Sequence, residues 1–407
     1  MILLLVLSGI IISICMGLRQ SLGLFMRPMT VDAGISAATF GFAIALQNIV
    51  WGISQPFVGA LADKHGPRPV LIWTALAYAA GMLLMVFSRG ALGLDAAGFL
   101  LGIGTAGTAF GVLMGVVARA TPPERRSQTV GLVAAAGSLG TLLIAPLGQG
   151  LIDGYGWQVA LLAFAAIAAS MAAFALPIKK LEIALNAKPP EARQAAVAQS
   201  VGEALREAMA HRGYLFMTLA FFACGFQLVF ITTHLPAYLA LCGVAPGVSA
   251  TALGLIGLFN TIGTYIFGHL GARYSQKHLL ALIYLLRTLF IVAFLLAPIS
   301  ATTTLVFAAA MGMLWLGVSP LVTGILARVF GLTHFGTLYG VVFFSHQVGS
   351  FFGAWMGGLV FGWTGSYDAA WLALIAIGAI AFTLQWIMDD RPPPVRHAAT
   401  GLAPAGA

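Results

Sequence analysis

Long runs of apolar residues, separated by short polar connectors, follow one another along the whole chain. They are bounded by glycine, proline and charged residues, and most reach the length of about 20 residues that an α-helix needs to cross a bilayer. The runs lie at residues 3–27, 38–62, 69–88, 95–118, 127–152, 157–178, 213–240, 249–271, 278–298, 302–326, 336–362 and 369–388. The pattern therefore predicts twelve membrane-spanning helices, called spans 1 to 12 in chain order.

The composition agrees with a membrane protein. Of the 407 residues, 60% are hydrophobic and 8% are charged, whereas soluble globular proteins carry about 25% charged residues. A water-soluble enzyme is therefore excluded, and the predicted fold class is an all-α membrane bundle of twelve transmembrane helices. No P-loop, metal-ligand spacing or nucleophile motif occurs in a suitable context, so we expect neither enzyme activity nor a cofactor or metal site.

Positive charge lies mostly on one side of the predicted bundle. Of the 20 Lys and Arg residues, sixteen fall in the connectors after even-numbered spans or in the C-terminal tail. The other side has only Arg27 and Arg89, while Arg19 and Arg287 lie inside spans. Because cytoplasmic connectors retain an excess of Lys and Arg, both termini are predicted to be cytoplasmic. The net charge of +8 is thus an orientation signal, and we expect no nucleic-acid partner.

The chain also repeats itself at an offset of 209 residues, which superposes spans 1–6 on spans 7–12. The coincidences include Gly59 with Gly268, Gly115 with Gly324, Gly140 with Gly349 and Gly148 with Gly357. Parallel repeats of this kind are typical of alternating-access transporters, whose site lies where the repeats meet. The predicted organisation is a six-helix bundle at 1–178, a cytoplasmic linker at 179–212, a second six-helix bundle at 213–388 and a cytoplasmic tail at 389–407.

The connector after span 2 carries a recognisable motif. Its sequence, Gly59-Ala60-Leu61-Ala62-Asp63-Lys64-His65-Gly66-Pro67-Arg68, resembles the signature loop of the major facilitator superfamily, with a Gly, a Leu, an Asp and spaced basic residues. The loop Pro122-Pro123-Glu124-Arg125-Arg126 resembles a second recurrent loop of that family. The resemblance covers essentially the whole chain and implies the family's fold in two pseudo-symmetric halves, a rocker-switch movement between them, and a cavity lined by spans 1, 4, 7 and 10.

Two positions depart from the family's pattern. The second copy of the loop has Ala272 where the first has Asp63, and span 4 lacks the arginine that many proton-coupled members carry just before Gly102. Proton coupling through that arginine is therefore not predicted.

The same loop suggests a gate on the cytoplasmic side. Asp63 ends span 2 beside Lys64 and Arg68, and the repeat brings Arg328, at the end of span 10, to the facing half. A carboxylate there can pair with basic groups or cap a neighbouring helix, and so hold this side shut. We predict that Asp63, Lys64, Arg68 and Arg328 form the gate. The alternative is that Asp63 only ends a helix in a solvated basic loop.

Arg19 is the strongest candidate for a substrate contact. It lies about 7 Å from the middle of span 1 on the outer side, and every acidic residue of the chain lies in a connector or at a span end. An arginine near the bilayer centre costs about 2.5–3.5 kcal/mol, and no carboxylate inside the membrane is available to neutralise it. A transported anion would do so, since a guanidinium binds a carboxylate bidentately. The alternative is an arginine that snorkels to the outer headgroups.

The surrounding sequence agrees with an anion site. Gly17-Leu18-Arg19-Gln20-Ser21-Leu22-Gly23-Leu24-Phe25 resembles the first helix of monocarboxylate and oxalate/formate-type facilitators, in which a basic residue serves the substrate carboxylate. The resemblance implies a substrate role for Arg19, with Gln20 as the neighbouring position that the alignment leaves open. Related carriers often have a second cation on span 8 or 11, whereas span 8 here offers Asn260 and no cation.

Other polar residues near mid-span are predicted to line the substrate path. Arg287 lies near the centre of span 9, and the sequence leaves open whether it contacts substrate. His346 titrates near neutrality and is the candidate for carrying a proton, unless it is a neutral histidine bonded between helices. The uncharged candidates are Asn48 and Gln55 on span 2, Asn260 on span 8, Trp315 and Ser319 on span 10, and Gln347 on span 11. Hydrogen bonds between helices are an equal alternative use of each.

These observations predict a secondary transporter of a small organic anion, a monocarboxylate, with or without a proton. The first alternative is a facilitator-type exporter of a neutral drug or metabolite, and the second is a membrane receptor that transports nothing. We expect a monomer in the plasma membrane, the inner membrane of a bacterium, with the lipid bilayer as its other partner.

Overall fold

The computed structural model describes residues 2–121, 126–178, 200–331 and 335–392, and within these ranges the chain forms helices joined by short turns. The all-α fold class predicted from the apolar runs is confirmed. The loop 122–125, residues 179–199 of the predicted linker and residues 393–407 of the predicted tail lie outside the described residues, as does the side chain of Asp63. The predicted domain limits and the motif in 122–126 therefore stay predictions.

The helices follow the predicted spans closely, with three spans built from more than one segment. They are, for spans 1 to 6, Ile2–Ser21 with Leu22–Phe25 and Met26–Ala33, Ala37–His65, Pro67–Phe87, Ala91–Thr108 with Phe110–Ala120, Arg126–Tyr155 and Trp157–Ala175. For spans 7 to 12 they are Arg212–Leu241, Pro246–Gly271, Gln276–Leu296, Ala301–Met313 with Val318–Phe330, Phe335–Thr364 and Asp368–Ile387. A short helix, Val201–Ala210, precedes span 7.

Eleven of the described spans are long and apolar enough to cross a membrane. The remaining one, span 11, is a helix of 30 residues, and its length suits a membrane crossing equally well. Its mean hydropathy is lowered by polar residues at its centre, among them His346, Gln347 and Ser350. The span whose apolar character is weakest is thus one that carries predicted site residues.

The interruptions of spans 4 and 10 are related by the internal repeat. Span 4 breaks at Ala109, which separates two helical segments, and span 10 breaks just before Val318, 209 residues further on. Glycines flank both breaks, at Gly107 and Gly317, where their low helix propensity makes a break inexpensive. Apolar periodicity shows that a segment crosses the membrane, but it does not show where the helix is interrupted.

Spans 2 and 11 join the two halves at the end of the bundle opposite the start of span 1, called here the far side. A Cβ built on Gly41 would lie 2.6 Å from the carbonyl oxygen of Ala354, and one on Gly358 would lie 2.4 Å from that of Ala37. Backbones approach this closely only where the residues are small. The two halves are therefore in direct backbone contact on the far side.

The same two spans separate toward the end where span 1 begins and span 12 ends, called the termini side. A Cβ on Gly52 would meet the side chain of Gln347, near the middle of both helices. Gly59 and Gly340 lie seven residues further toward the termini side, on the same helix faces, and a Cβ on either would meet no described atom within 4 Å. The halves are thus closed on the far side and apart on the termini side.

An ionic cluster ties together the termini-side ends of the second half. Nη2 of Arg328 donates to Oδ2 of Asp390 at 2.5 Å, and Nζ of Lys277 lies 3.6 Å from Oδ1 of the same carboxylate. Partial burial opposes ionisation of Asp390, but the hydrogen bond and charges of Arg328 and Lys277 outweigh it and lower the pKa of the carboxyl group from its usual value. Arg328, predicted as a gate residue, is thus bonded within its own half in this state.

Replacing Asp390 by asparagine is expected to lower the stability of the fold by about 1 kcal/mol or less, because one of the paired charges is half exposed. A lowered pKa means that the ionised carboxylate stabilises the fold. The difference in stability between the variant and wild type should therefore be largest at neutral pH. It should vanish below about pH 4, as the carboxylate of the folded protein becomes protonated. Unfolding temperatures of both proteins across this pH range measure it. A difference that persists unchanged at acid pH would show that charge is not the cause.

Candidate functional site

A small cavity lies where spans 1, 2 and 7 meet, between the two halves. Its volume is about 10 Å³, which is room for roughly one water molecule. The first half contributes a cation, two amides and apolar groups, and the second half contributes two hydroxyls. The lining residues are Arg19, Leu22, Gly23, Ile44, Gln47, Asn48, Val229, Thr232 and Thr233. This is the predicted location of a transport site, at the interface of the repeats.

Arg19 faces this cavity, and only some of its N–H groups donate hydrogen bonds to described residues. Nη2 donates to Oδ1 of Asn48 at 2.5 Å, and the guanidinium carbon lies 5.1 Å from the ring centre of Trp51, a cation–π distance. Nε is buried and has no hydrogen-bond partner among the described residues. The ion pairs found in the described part of the chain involve neither Arg19 nor Arg287. Arg19 is therefore oriented by neutral groups and retains its charge for another partner.

A chain of hydrogen bonds connects Arg19 to the second half. Asn48, which accepts from Arg19, also accepts through its backbone carbonyl from Nε2 of Gln347 at 3.0 Å. Gln347 in turn accepts from Nδ1 of His346 at 3.1 Å. Span 11 of the second half is thus bonded through two amides to the cation of the first half, and four predicted site residues belong to one connected group.

His346 is enclosed by aromatic rings. Its ring centre lies 5.0 Å from that of Phe221 and 6.0 Å from that of Phe343, with the latter pair stacked. Only 9% of the residue is exposed. It is connected to Arg19 through Gln347 and Asn48 and does not itself line the cavity.

Two further predicted residues lie near this group without lining the cavity. Gln55 accepts from Nε1 of Trp51 at 2.7 Å, and so orients the ring beneath Arg19. Gln20 is buried, with 8% of its surface exposed, and its Oε1 has no partner among the described residues. Gln55 therefore positions the ring of Trp51, whereas the Oε1 of Gln20 contacts no described donor.

The other predicted residues form a separate cluster around the break in span 10. Asn260 accepts from the backbone N–H of Leu316 at 2.9 Å, and Nη2 of Arg287 donates to the carbonyl oxygen of Trp315. Ser319 follows in the next helical turn. None of Asn260, Arg287, Trp315 and Ser319 lines the cavity that contains Arg19.

Sequence reasoning missed three polar lining residues. Gln47 is fully buried, and neither its Nε2 nor its Oε1 has a partner among the described residues. Thr232 and Thr233 bring hydroxyls from span 7. Asn48, Trp51 and Gln55 share one face of span 2 by their spacing. Gln47 is adjacent to Asn48 in the sequence but does not belong to that pattern, so the spacing does not indicate it. Two other polar residues of span 7, Gln227 and His234, bond backbone carbonyls of spans 12 and 11 and do not line the cavity.

This arrangement is suited to bind a small anion between the two halves. The guanidinium of Arg19 supplies the positive charge, and the amide of Gln47 supplies an unused donor and acceptor. A ligand that also reaches Thr232 or Thr233 would bond both halves at once. Binding would then favour the state in which spans 1, 2 and 7 are close, which is how a ligand shifts a conformational equilibrium.

In a comparison with protein families, the model of the Major Facilitator Superfamily matches residues 5–354. Among curated proteins, monocarboxylate transporter 13 of Rattus norvegicus is 26% identical over 90% of this chain and 85% of its own length. The oxalate:formate antiporter of Oxalobacter formigenes is 25% identical over 95% of this chain and 91% of its own length. Both alignments therefore extend over nearly the whole of each protein.

Among solved structures, the chain resembles a bacterial homologue of the human lysosomal transporter Spinster. The TM-score is 0.78 over 96% of this chain and 98% of that one, at 15% sequence identity, for the structure described as inward-facing and unoccupied. The structure of the same homologue described as inward-facing and occupied gives a TM-score of 0.71. At this level of identity the comparison supports the fold and carries no information about the cargo.

Proposed function

Since this chain belongs to the major facilitator superfamily, we propose that it is a secondary transporter of a small organic anion, a monocarboxylate, which it moves by rocker-switch alternating access. The proposal agrees with the relatives, because one is named a monocarboxylate transporter and another an oxalate:formate antiporter. It does not depend on the names alone, because the charge inside the bundle points to the same class of cargo.

The state of Arg19 carries this proposal. Its described partners, an amide oxygen and an aromatic ring, are neutral, and its Nε has no partner among the described residues. Leaving a charge inside a membrane protein without an opposite charge is costly. A carboxylate bound to Arg19 removes that cost for as long as the cargo is present, so the site favours anions over neutral molecules.

The charge at the cavity distinguishes this proposal from the alternative of a drug exporter. Arg19 places a positive charge among the lining residues, and a guanidinium binds an anion in preference to a neutral or cationic drug. Exporters of lipophilic cations would moreover need an acidic residue at depth, and every acidic residue of this chain lies in a connector or at a span end. A small organic acid therefore suits the distribution of charge.

The sidedness of the charges relates the observed state to the transport cycle. With most Lys and Arg residues on the termini side, that side is the cytoplasmic one. The space around Gly59 and Gly340, where an added Cβ would meet no described atom within 4 Å, then corresponds to an inward-facing state. In this assignment the closed outer gate consists of the contact of Gly23 on span 1 with the backbone of Thr232 on span 7 and of the contact between spans 2 and 11. The inner gate contains Asp63, Lys64, Arg68 and Arg328.

His346 is the proposed group for coupling to protons, since it is linked through Gln347 and Asn48 to Arg19. In liposomes without internal substrate, an inward proton gradient should stimulate uptake by wild-type protein. The substitution His346→Gln should remove this stimulation. In liposomes loaded with substrate, the same variant should still exchange internal for external substrate. If the gradient has no effect on wild type, transport is exchange or facilitated flux and His346 carries no proton.

Uptake by purified protein in liposomes tests the function itself. We expect saturable accumulation of a labelled monocarboxylate such as acetate, propionate or pyruvate, and competition by other small carboxylates but not by their amides or by cationic dyes. Binding without accumulation would indicate a receptor. Accumulation of neutral compounds alone would support the exporter and contradict the proposal.

Replacing Gln47 by leucine is expected to weaken cargo binding without destabilising the protein. The amide has no partner among the described residues, so its removal deletes no bond of the empty protein and leaves the unfolding temperature equal or higher. The cargo loses one hydrogen bond, which corresponds to a roughly tenfold higher Kd. Equilibrium binding and thermal unfolding of the same preparation measure both effects.

Gln227→Leu is the matched control. Gln227 is also a fully buried glutamine of the core, but its Nε2 donates to the carbonyl oxygen of Leu374 at 3.2 Å. This variant should lose stability and keep its affinity for the cargo. If Gln47→Leu behaves in the same way as Gln227→Leu, Gln47 is a packing residue and not a binding residue.

A further inference from the structure

The buried guanidinium of Arg287 donates hydrogen bonds to backbone carbonyls at the break in span 10. Its Nε and Nη2 donate to the carbonyl oxygen of Leu314 at 3.2 and 2.6 Å, and Nη2 also donates to the carbonyl oxygen of Trp315. These carbonyls follow the end of Ala301–Met313 and lie before the start of Val318–Phe330. Where a helix is interrupted, such groups lack partners further along the chain. Arg287 supplies the missing donors.

The position of Arg287 also accounts for its charge. The residue is 0% exposed and lies at the C-terminal end of the helix Ala301–Met313, where the helix dipole is negative. Its guanidinium further lies 5.6 Å from the ring centre of Tyr284. Arg19, by contrast, is held by an amide and an indole and faces a cavity. Each arginine has one buried nitrogen without a partner among the described residues, Nε in Arg19 and Nη1 in Arg287, but only Arg19 faces the cavity.

Asn260 connects the same break to the other half of the protein. Its Oδ1 accepts from the N–H of Leu316 at 2.9 Å, and its Nδ2 donates to Oγ of Ser138 on span 5 at 2.8 Å. Spans 5 and 8 are in close contact at this level, since a Cβ on Gly257 would lie 2.6 Å from the carbonyl oxygen of Ser138. A movement of span 5 relative to span 8 must stretch or break the bond from Asn260 to Ser138.

We propose that Arg287 and Asn260 are positioning residues that hold the break in span 10 and, through Ser138, couple its geometry to the relative position of the two halves. Arg287 fixes the carbonyls on one side of the break, and Asn260 fixes the next N–H. The bend in span 10 then depends on whether the bond to Ser138 is intact. Transport requires both halves to move, so the rate of interconversion between states depends on these residues, whereas cargo binding at Arg19 does not.

The inference rests on the proposed transport function for its kinetic readout, but it also has a readout that needs no cargo. A cysteine introduced at Gly340, in a background with Cys15, Cys224 and Cys242 replaced, reports the opening of the termini side through its rate of labelling by a maleimide. No described atom lies within 4 Å of a Cβ at this position in the present state, so labelling should be fast here and slow when the halves close.

The test compares Arg287→Lys and Ser138→Ala with wild type. Lysine keeps the charge but lacks the fork of donors that spans two carbonyls, and alanine removes only the bond between the halves. We expect Kd for a monocarboxylate to stay within about threefold and the maximal transport rate to fall about tenfold. The labelling rate at position 340 without cargo should change about threefold or more, because the lost hydrogen bond favours one state over the other.

Thr288→Ala is the control, because Thr288 is the neighbour of Arg287 and its hydroxyl bonds the carbonyl oxygen of Tyr284 in its own helix. It should leave the transport rate and the labelling rate unchanged.

Two results would overturn the proposal. One is an increase of Kd by about tenfold in Arg287→Lys with unchanged labelling, which would identify a cargo contact. The other is unchanged transport and labelling in both Arg287→Lys and Ser138→Ala. If wild type transports no carboxylate, the proposed function fails, while the labelling rates still decide this inference. If Arg287→Lys does not fold, Ser138→Ala decides it alone.

Discussion

Replacing Arg19 by alanine is expected to reduce the uptake of a monocarboxylate by roughly 100-fold or more. The substitution removes the positive charge that faces the cavity and leaves a bound carboxylate without its partner, which costs about 2–5 kcal/mol for a buried charged pair. The loss should appear as a higher Kd in equilibrium binding as well as in uptake by liposomes. The fold should persist, since the described partners of Arg19 are a single amide and an indole ring.

Two variants make this result specific. Arg27→Ala removes an arginine from the same span, and the side chain of Arg27 is exposed, so its uptake should match that of wild type. Arg19→Lys keeps the charge but lacks the planar fork, so it should recover part of the uptake. Uptake by Arg19→Ala that equals that of Arg27→Ala would remove Arg19 from the site.

Replacing Gly23 by valine is expected to slow transport by about tenfold or more, since inserting a side chain into a filled contact costs about 1–3 kcal/mol. Gly23 lies in the short helical turn Leu22–Phe25 of span 1, and a Cβ there would lie 2.0 Å from the carbonyl oxygen of Thr232 on span 7. The bulkier residue prevents these spans from meeting on the far side. The state that is open on the termini side becomes less populated, so a cysteine at position 340 should label more slowly.

Gly150→Val is the matched control for Gly23→Val. Gly150 also lies inside a helix, and a Cβ there would meet nothing within 4 Å, so both transport and labelling should remain at wild-type values. Faster labelling in Gly23→Val, or equal transport in the two valine variants, would contradict the assignment of this contact as a gate between the halves.

The sequence contains enough information to predict the fold of this protein. Apolar runs of sufficient length, the lopsided positive charge and the 209-residue repeat predict twelve helices in two halves, because each follows from the cost of placing polar groups in lipid. The interruptions of spans 4 and 10 were not predicted. They depend on contacts with neighbouring helices, such as that of Arg287 with Leu314, which the periodicity of one helix does not contain.

The candidate site shows the same limit. Arg19 is evident from the sequence, because a lone arginine at depth is costly. Asn48, His346 and Gln347 are recognised one by one as polar residues in apolar spans, but their connection into one chain of bonds depends on how spans 2 and 11 cross. Gln47 becomes a candidate only when the structure shows that its buried amide lacks a partner among the described residues.

The central claim is that the cargo brings the negative charge that Arg19 lacks, and binding of a carboxylic acid and of its amide to the same preparation tests it most directly. Propionate and propionamide have nearly the same shape and differ in charge. The account predicts that wild-type protein binds propionate roughly 100-fold more tightly than propionamide, and that this preference disappears in Arg19→Gln. Equal binding of acid and amide by wild type, or an undiminished preference for the acid in Arg19→Gln, would contradict it.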